Sequence, residues 1–130
     1  FFRWLEINTR KILNLDSDNI LIQSITKSLK VKQYYVSKDT NENNLRMKLN
    51  FGHTFAHAIE AKNNYSGKIN HGESVLIGMM LAVKLSLLKG MCNQVTADKI
   101  FNLYLKNDIK FKINKVIKKK EISKKHNLQT

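Results

Sequence analysis

Proline is absent from the 130-residue chain, and glycine occurs only five times. Those residues punctuate β-sandwiches, linkers and collagen-like repeats, so their scarcity turns the reading toward helices. A single cysteine, Cys92, excludes an internal disulfide, a zinc ribbon and a Cys-x-x-Cys redox pair, and a reducing cytoplasm is the expected compartment. Acidic residues are few: 10 Asp plus Glu face 23 Lys plus Arg, a formal net charge of +13. No uninterrupted apolar run approaches the roughly 20 residues that a membrane span requires. Residues 1–13 interleave Arg3, Glu6, Arg10 and Lys11 with apolar residues, unlike a signal peptide. With 42% hydrophobic residues the chain is too apolar to be wholly disordered, and its length accommodates one domain.

The positive charge is uneven. Nine of the 20 lysines lie between Lys106 and Lys125, opposed only by Asp108 and Glu121, so that stretch carries +7 (9 − 2) and the remainder +6. Lysines facing a polyanion release its counterions, which makes a phosphate-contacting arm one reading of residues 106–130. Stacking aromatics are not interleaved with these lysines, however. Moreover, 20 Lys, 15 Asn and 13 Ile make up 48 of the 130 residues, as AT-rich codon usage on a solvated surface would give. The second reading is preferred, and the segment is expected to be a basic, frayed tail.

Apolar spacing divides the chain into helices. Residues 2–14 form the first, and Asp16-Ser17-Asp18 supplies N-cap candidates for the next. Leu21, Ile25, Leu29 and Val36 predict a second helix over residues 20–36, although Tyr34-Tyr35-Val36 also suits a strand. Residues 37–44 are polar throughout and read as a loop. A third helix is predicted over 45–62, then a polar loop over 63–70. A fourth helix follows, apolar or glycine at every position from 75 to 83 and expected to be buried on most faces. Gly90 stands where a C-terminal cap belongs. A fifth helix is predicted over 95–105 and a weaker one over 113–123. The expected fold is all-α, an antiparallel helical bundle forming one domain over 1–130.

Residues 46–61, Arg-Met-Lys-Leu-Asn-Phe-Gly-His-Thr-Phe-Ala-His-Ala-Ile-Glu-Ala, are the most informative. At about 100° per residue, a continuous helix places Arg46, Asn50, His53 and His57 on one narrow face. Leu45, Leu49, Gly52, Ala56 and Ile59 then form a separate apolar stripe. A cation, an amide and two imidazoles beside buried surface suit an anion or a metal, because buried polar groups need partners. His53-x-x-x-His57 alone is more often a hydrogen-bonded surface pair than a metal site. Thr54 also stands where a His-Glu-x-x-His protease has its glutamate. His71 opens His71-Gly72-Glu73 and adds an imidazole, so one reading is a divalent ion held by His53, His71 and a carboxylate. Capping of the following helix is the other.

The run Leu49-Asn50-Phe51-Gly52-His53-Thr54-Phe55-Ala56-His57-Ala58-Ile59-Glu60-Ala61, followed by Tyr65, closely resembles the signature of the 3-dehydroquinate synthase family. So does His71-Gly72-Glu73-Ser74-Val75-x-Ile77-Gly78-Met79. Phe1-Phe2-x-Trp4-Leu5-Glu6-x-Asn8 and the placement of Lys32 fourteen residues before Arg46 extend the resemblance over about residues 1–91. It implies the C-terminal helical domain of a two-domain enzyme whose N-terminal α/β domain binds NAD. It further implies that His53 and His71 are ligands of zinc or cobalt, with a glutamate ligand expected just before Phe1. Arg46, Lys32, Asn50 and His57 are implied to line the pocket of a phosphorylated sugar acid, with His57 and Asn50 catalytic.

The implied reaction converts 3-deoxy-D-arabino-heptulosonate 7-phosphate into 3-dehydroquinate and phosphate in the shikimate pathway. It runs through transient oxidation with NAD, loss of phosphate, re-reduction, ring opening and an internal aldol closure. A cytoplasmic homodimer is the expected full-length form, with neither membrane nor nucleic acid as partner.

This chain departs from the family pattern at Ala56 and Asn44, where glycine is usual, at Ser74, where alanine is usual, and at Thr40, where glutamate is usual. Asn44 is expected to adopt the left-handed backbone of the glycine it replaces. A Gly-rich dinucleotide turn, a βαβ pattern and the family's late Asp-Lys-Lys motif are not found, so the piece is expected to be cut at both ends and inactive alone. Other sugar-phosphate cyclases and glycerol dehydrogenase-like enzymes are the nearest alternatives, and Arg46 with Lys32 favours a carboxylated phosphate over glycerol. A basic helical module binding nucleic acid ranks behind, because it leaves the Arg46, Asn50, His53 and His57 face unexplained.

Overall fold

A computed structural model of the chain describes residues 1–62 and 69–109, and among these it is all-helical, with no strand. In chain order come α1 (Phe2–Leu13), α2 (Asp18–Lys38), a 3₁₀ helix (Arg46–Asn50), α3 (His53–Lys62), α4 (His71–Leu88) and α5 (Gln94–Lys106). The helix expected over 113–123, most of the polar loop at 63–70 and most of the basic tail lie outside the described residues. The chain divides into two compact units, one of Phe1–Phe51 with Asp98–Ile109 and one built on Gly52–Ala97.

In the first unit, α1 and α2 are joined by a turn whose chemistry is local. Arg10 and Lys11 occupy the last turn of α1, where cations complement the helix dipole. Beyond the C-cap Asn14, the N–H of Leu15 reaches the Ile12 carbonyl and that of Asp16 reaches Lys11, a Schellman closure. Leu15 takes the left-handed φ of 57° that this closure requires. Ser17 then caps α2, its hydroxyl accepting from the Ile20 N–H at 3.2 Å. The tyrosines at 34 and 35 are helical, so the strand alternative falls away. α2 has no fully buried residue and exposes Ile22, Ile25 and Leu29, while the Lys27 ammonium sits 5.4 Å from the centre of the Trp4 ring on α1.

The third helix departs from the sequence expectation. A continuous helix over 45–62 does not form: the 3₁₀ helix stops at Asn50, and α3 begins afresh at His53. The break is at Gly52, whose φ of +86° is open to glycine and strained for any other residue. Arg46 and Asn50 therefore do not share a helical face with His53 and His57.

The break has a packing cause inside the second unit. A Cβ built on Gly52 would lie 2.5 Å from the Met79 nitrogen of α4, and one built on Gly78 would lie 2.2 Å from the Gly52 carbonyl oxygen. Backbone meets backbone here, so the start of α3 is pinned against the middle of α4. Ala56 is completely buried beside this contact, and Ile59 and Ile77 form the core, with Ile69 and Leu81 packed against it. Full burial of such an aliphatic side chain stabilises by about 1.5–3 kcal/mol.

α4 opens with a capping box, the Asn70 side chain accepting from the Glu73 N–H at 2.8 Å and the Glu73 carboxylate from the Asn70 N–H at 3.0 Å. Asn70, not His71, is the capping residue, and His71 is the first helical position. The helix closes on Gly90, φ +68°, in a second Schellman turn, as the sequence predicts. Its burial is narrower than expected: only Ser74, Ile77, Gly78 and Val83 are fully buried. The whole helix, 18 residues of mean hydropathy 1.4, is long and apolar enough to cross a membrane by length and composition alone. Core helices share that property, and the buried face of α4 against α3 fits a core helix.

Candidate functional site

The first unit holds a cavity of about 480 Å³, within the range of small-molecule pockets. Val31 and Leu49 give it apolar wall, and Lys32, Glu42, Arg46 and Asn50 supply its polar groups. Three of the four sequence-predicted substrate residues thus line one hollow, although they come from α2 and from the 3₁₀ helix rather than from one helix face.

Asp39, the C-cap of α2, organises the loop that leads to them. Its carboxylate accepts the backbone N–H groups of Arg46 at 3.0 Å, Asn44 at 2.9 Å and Asn43 at 3.0 Å. These donors hold its carboxyl below the usual carboxylate range, since each favours the charged form. The 3₁₀ turn is thereby started by a side chain rather than by a preceding helix.

Arg46 donates from Nη1 to the Thr40 carbonyl at 3.1 Å and pairs through Nε with Glu42 at 3.6 Å. Glu42 also accepts from Asn50 Nδ2 at 2.8 Å, so one carboxylate ties together two of the residues that the family resemblance implies for the substrate pocket. The left-handed residue of this loop is Glu42, φ 56°, not Asn44. Sequence reasoning missed Glu42 because nothing in a polar loop indicates which acid will fold back.

The second unit gathers three imidazoles. The His53 ring centre is 6.0 Å from that of His57 and 5.8 Å from that of His71. His53 Nδ1 is buried and has no hydrogen-bond partner among the described residues. His71 Nδ1 faces Glu60 Oε1 at 2.9 Å. Two imidazoles on one tetrahedral zinc have ring centres roughly 5 Å apart, from a metal–nitrogen bond of about 2.0–2.1 Å. The His53–His71 spacing approaches this, and an orphaned buried nitrogen calls for a partner, so these two imidazoles are the candidate donors to a divalent ion. Among the described residues, no group of three or more His, Cys, Asp or Glu is arranged to hold a metal by itself. His57 is exposed, one turn after His53 on α3. Sequence reasoning missed Glu60; its place seven residues after His53, and so on the same helical face, was the signal that could have drawn attention to it.

The family model described as 3-dehydroquinate synthase C-terminal matches residues 1–127. The 3-dehydroquinate synthase of Dictyoglomus turgidum is 46% identical over 112 residues, 86% of this chain and 31% of that protein. That of Dictyoglomus thermophilum is 54% identical over 92 residues, 71% of this chain and 25% of its own length. That of Thermodesulfovibrio yellowstonii is 46% identical over 103 residues, 79% of this chain and 28% of its own. The chain spans about a third or less of each of these relatives. With an all-helical fold, a cationic cavity and a histidine cluster on the motifs that the family model covers, the chain belongs to the 3-dehydroquinate synthase family, within its C-terminal domain.

Proposed function

We propose that the chain is the substrate- and metal-binding part of a 3-dehydroquinate synthase, which converts 3-deoxy-D-arabino-heptulosonate 7-phosphate into 3-dehydroquinate and phosphate. The observation that carries the reading is the cavity lined by Lys32, Arg46 and Asn50. Arg46 presents a planar fork suited to a carboxylate or a phosphate, and Lys32 a point charge. Glu42 keeps the Arg46 fork and the Asn50 amide in register, leaving Asn50 to orient a substrate hydroxyl. His57 relays a proton or steadies the departing phosphate.

His53 and His71 would hold a zinc or cobalt ion. When bound, such an ion supplies Lewis acidity that polarises a hydroxyl or a carbonyl. Its third protein ligand is not assigned among the described residues. NAD is the second expected cofactor, and the described residues include no βαβ unit to bind it. The pairing of Arg46 with Lys32 favours a carboxylated phosphate over the glycerol of related metal-dependent dehydrogenases.

In the whole protein, Arg46→Gln is expected to raise KM for the phosphorylated sugar acid at least tenfold while leaving helix content unchanged. His53→Ala and His71→Ala are each expected to lower bound zinc well below one ion per chain. Unaltered kinetics in the first variant would oppose the substrate assignment, and unaltered zinc stoichiometry in both others would end the metal assignment.

A further inference from the structure

The contact between Glu60 and His71 differs from an ordinary surface ion pair in how its two members are placed. The Glu60 side chain is only 15% exposed whereas that of His71 is 63% exposed. Glu60 follows Ile59, which is buried in the α3–α4 core, so its backbone is fixed by packing. The His71 backbone is fixed as well, at the first position of α4 and inside the Asn70–Glu73 capping box. Among the described residues the imidazole between these anchors makes one polar contact, Nδ1 to Glu60 Oε1 at 2.9 Å, and its ring centre stands 5.8 Å from that of His53.

An ionised carboxylate can only accept, so the contact requires the proton of a neutral His71 to sit on Nδ1. Nε2 then carries the lone pair. We propose that Glu60 is a positioning residue that fixes the tautomer and aim of His71, so that Nε2 is the nitrogen offered to a divalent metal ion. The proposal rests on the metal reading above. The physical logic is that of outer-shell carboxylates, which orient a ligating histidine and raise its basicity. A merely structural pair, largely open on the histidine side, would add little stability and would leave metal affinity untouched.

The test compares the whole protein with its Glu60→Ala and Glu60→Gln variants, with circular dichroism as a check on folding. Two readouts are taken: the His71 tautomer in metal-free protein from ¹⁵N chemical shifts, and zinc affinity by chelator competition. The expected results are an Nδ1–H tautomer in the parent, its loss in Glu60→Ala, and a zinc affinity lower by about 10–100-fold. Glu60→Gln, whose carbonyl can still accept from Nδ1–H, should recover part of both. A parent His71 protonated on Nε2, or a Glu60→Ala variant that binds zinc as tightly as the parent, would overturn the proposal. Complete loss of zinc in Glu60→Gln would overturn it differently, by making Glu60 a ligand. A parent that binds no zinc while keeping the Nδ1–H tautomer would refute the metal reading and the metal half of this proposal, and would leave Glu60 as a structural anchor only.

Discussion

Ser74 is completely buried, and its hydroxyl has no hydrogen-bond partner among the described residues. A buried, unsatisfied hydroxyl carries its desolvation penalty without compensation. Ser74→Ala, which restores the residue usual in the family, is expected to raise unfolding free energy by about 1 kcal/mol. Urea denaturation followed by circular dichroism measures it, and a loss of stability would mean that the hydroxyl has a partner after all. Asp39 illustrates the opposite case, a half-buried residue whose carboxylate accepts from the backbone N–H groups of Arg46, Asn44 and Asn43. Because its folded value lies below the ordinary 3.8, its stabilisation is fully present above 3.8 and fades as pH falls through the lower folded value. Amide exchange at Arg46, Asn44 and Asn43 should therefore accelerate, beyond the intrinsic trend, only in that acidic window. Asp39→Asn should remove the pH dependence.

Helix ends show at the scale of elements how a glycine-poor chain manages. Three Schellman turns close α1, α4 and α5, with the N–H of Asp108 reaching Leu105 and that of Ile109 reaching Tyr104 in the last. Only the α4 turn has glycine, Gly90, at its left-handed position. Leu15 and Asp108 take φ values of 57° and 50° in the others. The glycines spent elsewhere in the second unit have a different task. A methyl on Gly90 would meet nothing within 4 Å, whereas one on Gly78 would run into the Gly52 carbonyl.

Gly90→Ala is accordingly expected to cost about 1 kcal/mol, the left-handed penalty alone. Gly78→Ala should cost about 3 kcal/mol, because two backbones must separate. Equal losses in thermal or urea unfolding would contradict the close approach. That same approach explains why the long third helix foreseen from periodicity is two pieces. Residues 46–61 have helical spacing throughout, and spacing does not register that the residue at 52 must take φ +86° to pass α4.

For the molecule as a whole, the expected anion-binding residues Lys32, Arg46 and Asn50 fall in one unit and the imidazoles His53, His57 and His71 in the other. The chain matches no more than about a third of the relatives named above. The isolated 130-residue chain is therefore expected to bind zinc weakly, with its third ligand unassigned, and to form no measurable 3-dehydroquinate. Phosphate release from the sugar-acid substrate checks this, and turnover by the isolated chain would contradict it.

Helical class, the Ser17 cap, the Gly90 stop and the family motifs were all readable along the chain, because capping, periodicity and motif spacing are local properties. Tertiary structure alone decided where α3 begins, since the Gly52–Gly78 approach joins backbones 26 residues apart in sequence (78 − 52). It alone also brought Glu42 to Arg46 and Asn50, and Glu60 to His71, because a carboxylate's partner depends on how its loop or helix packs and not on its neighbours in sequence.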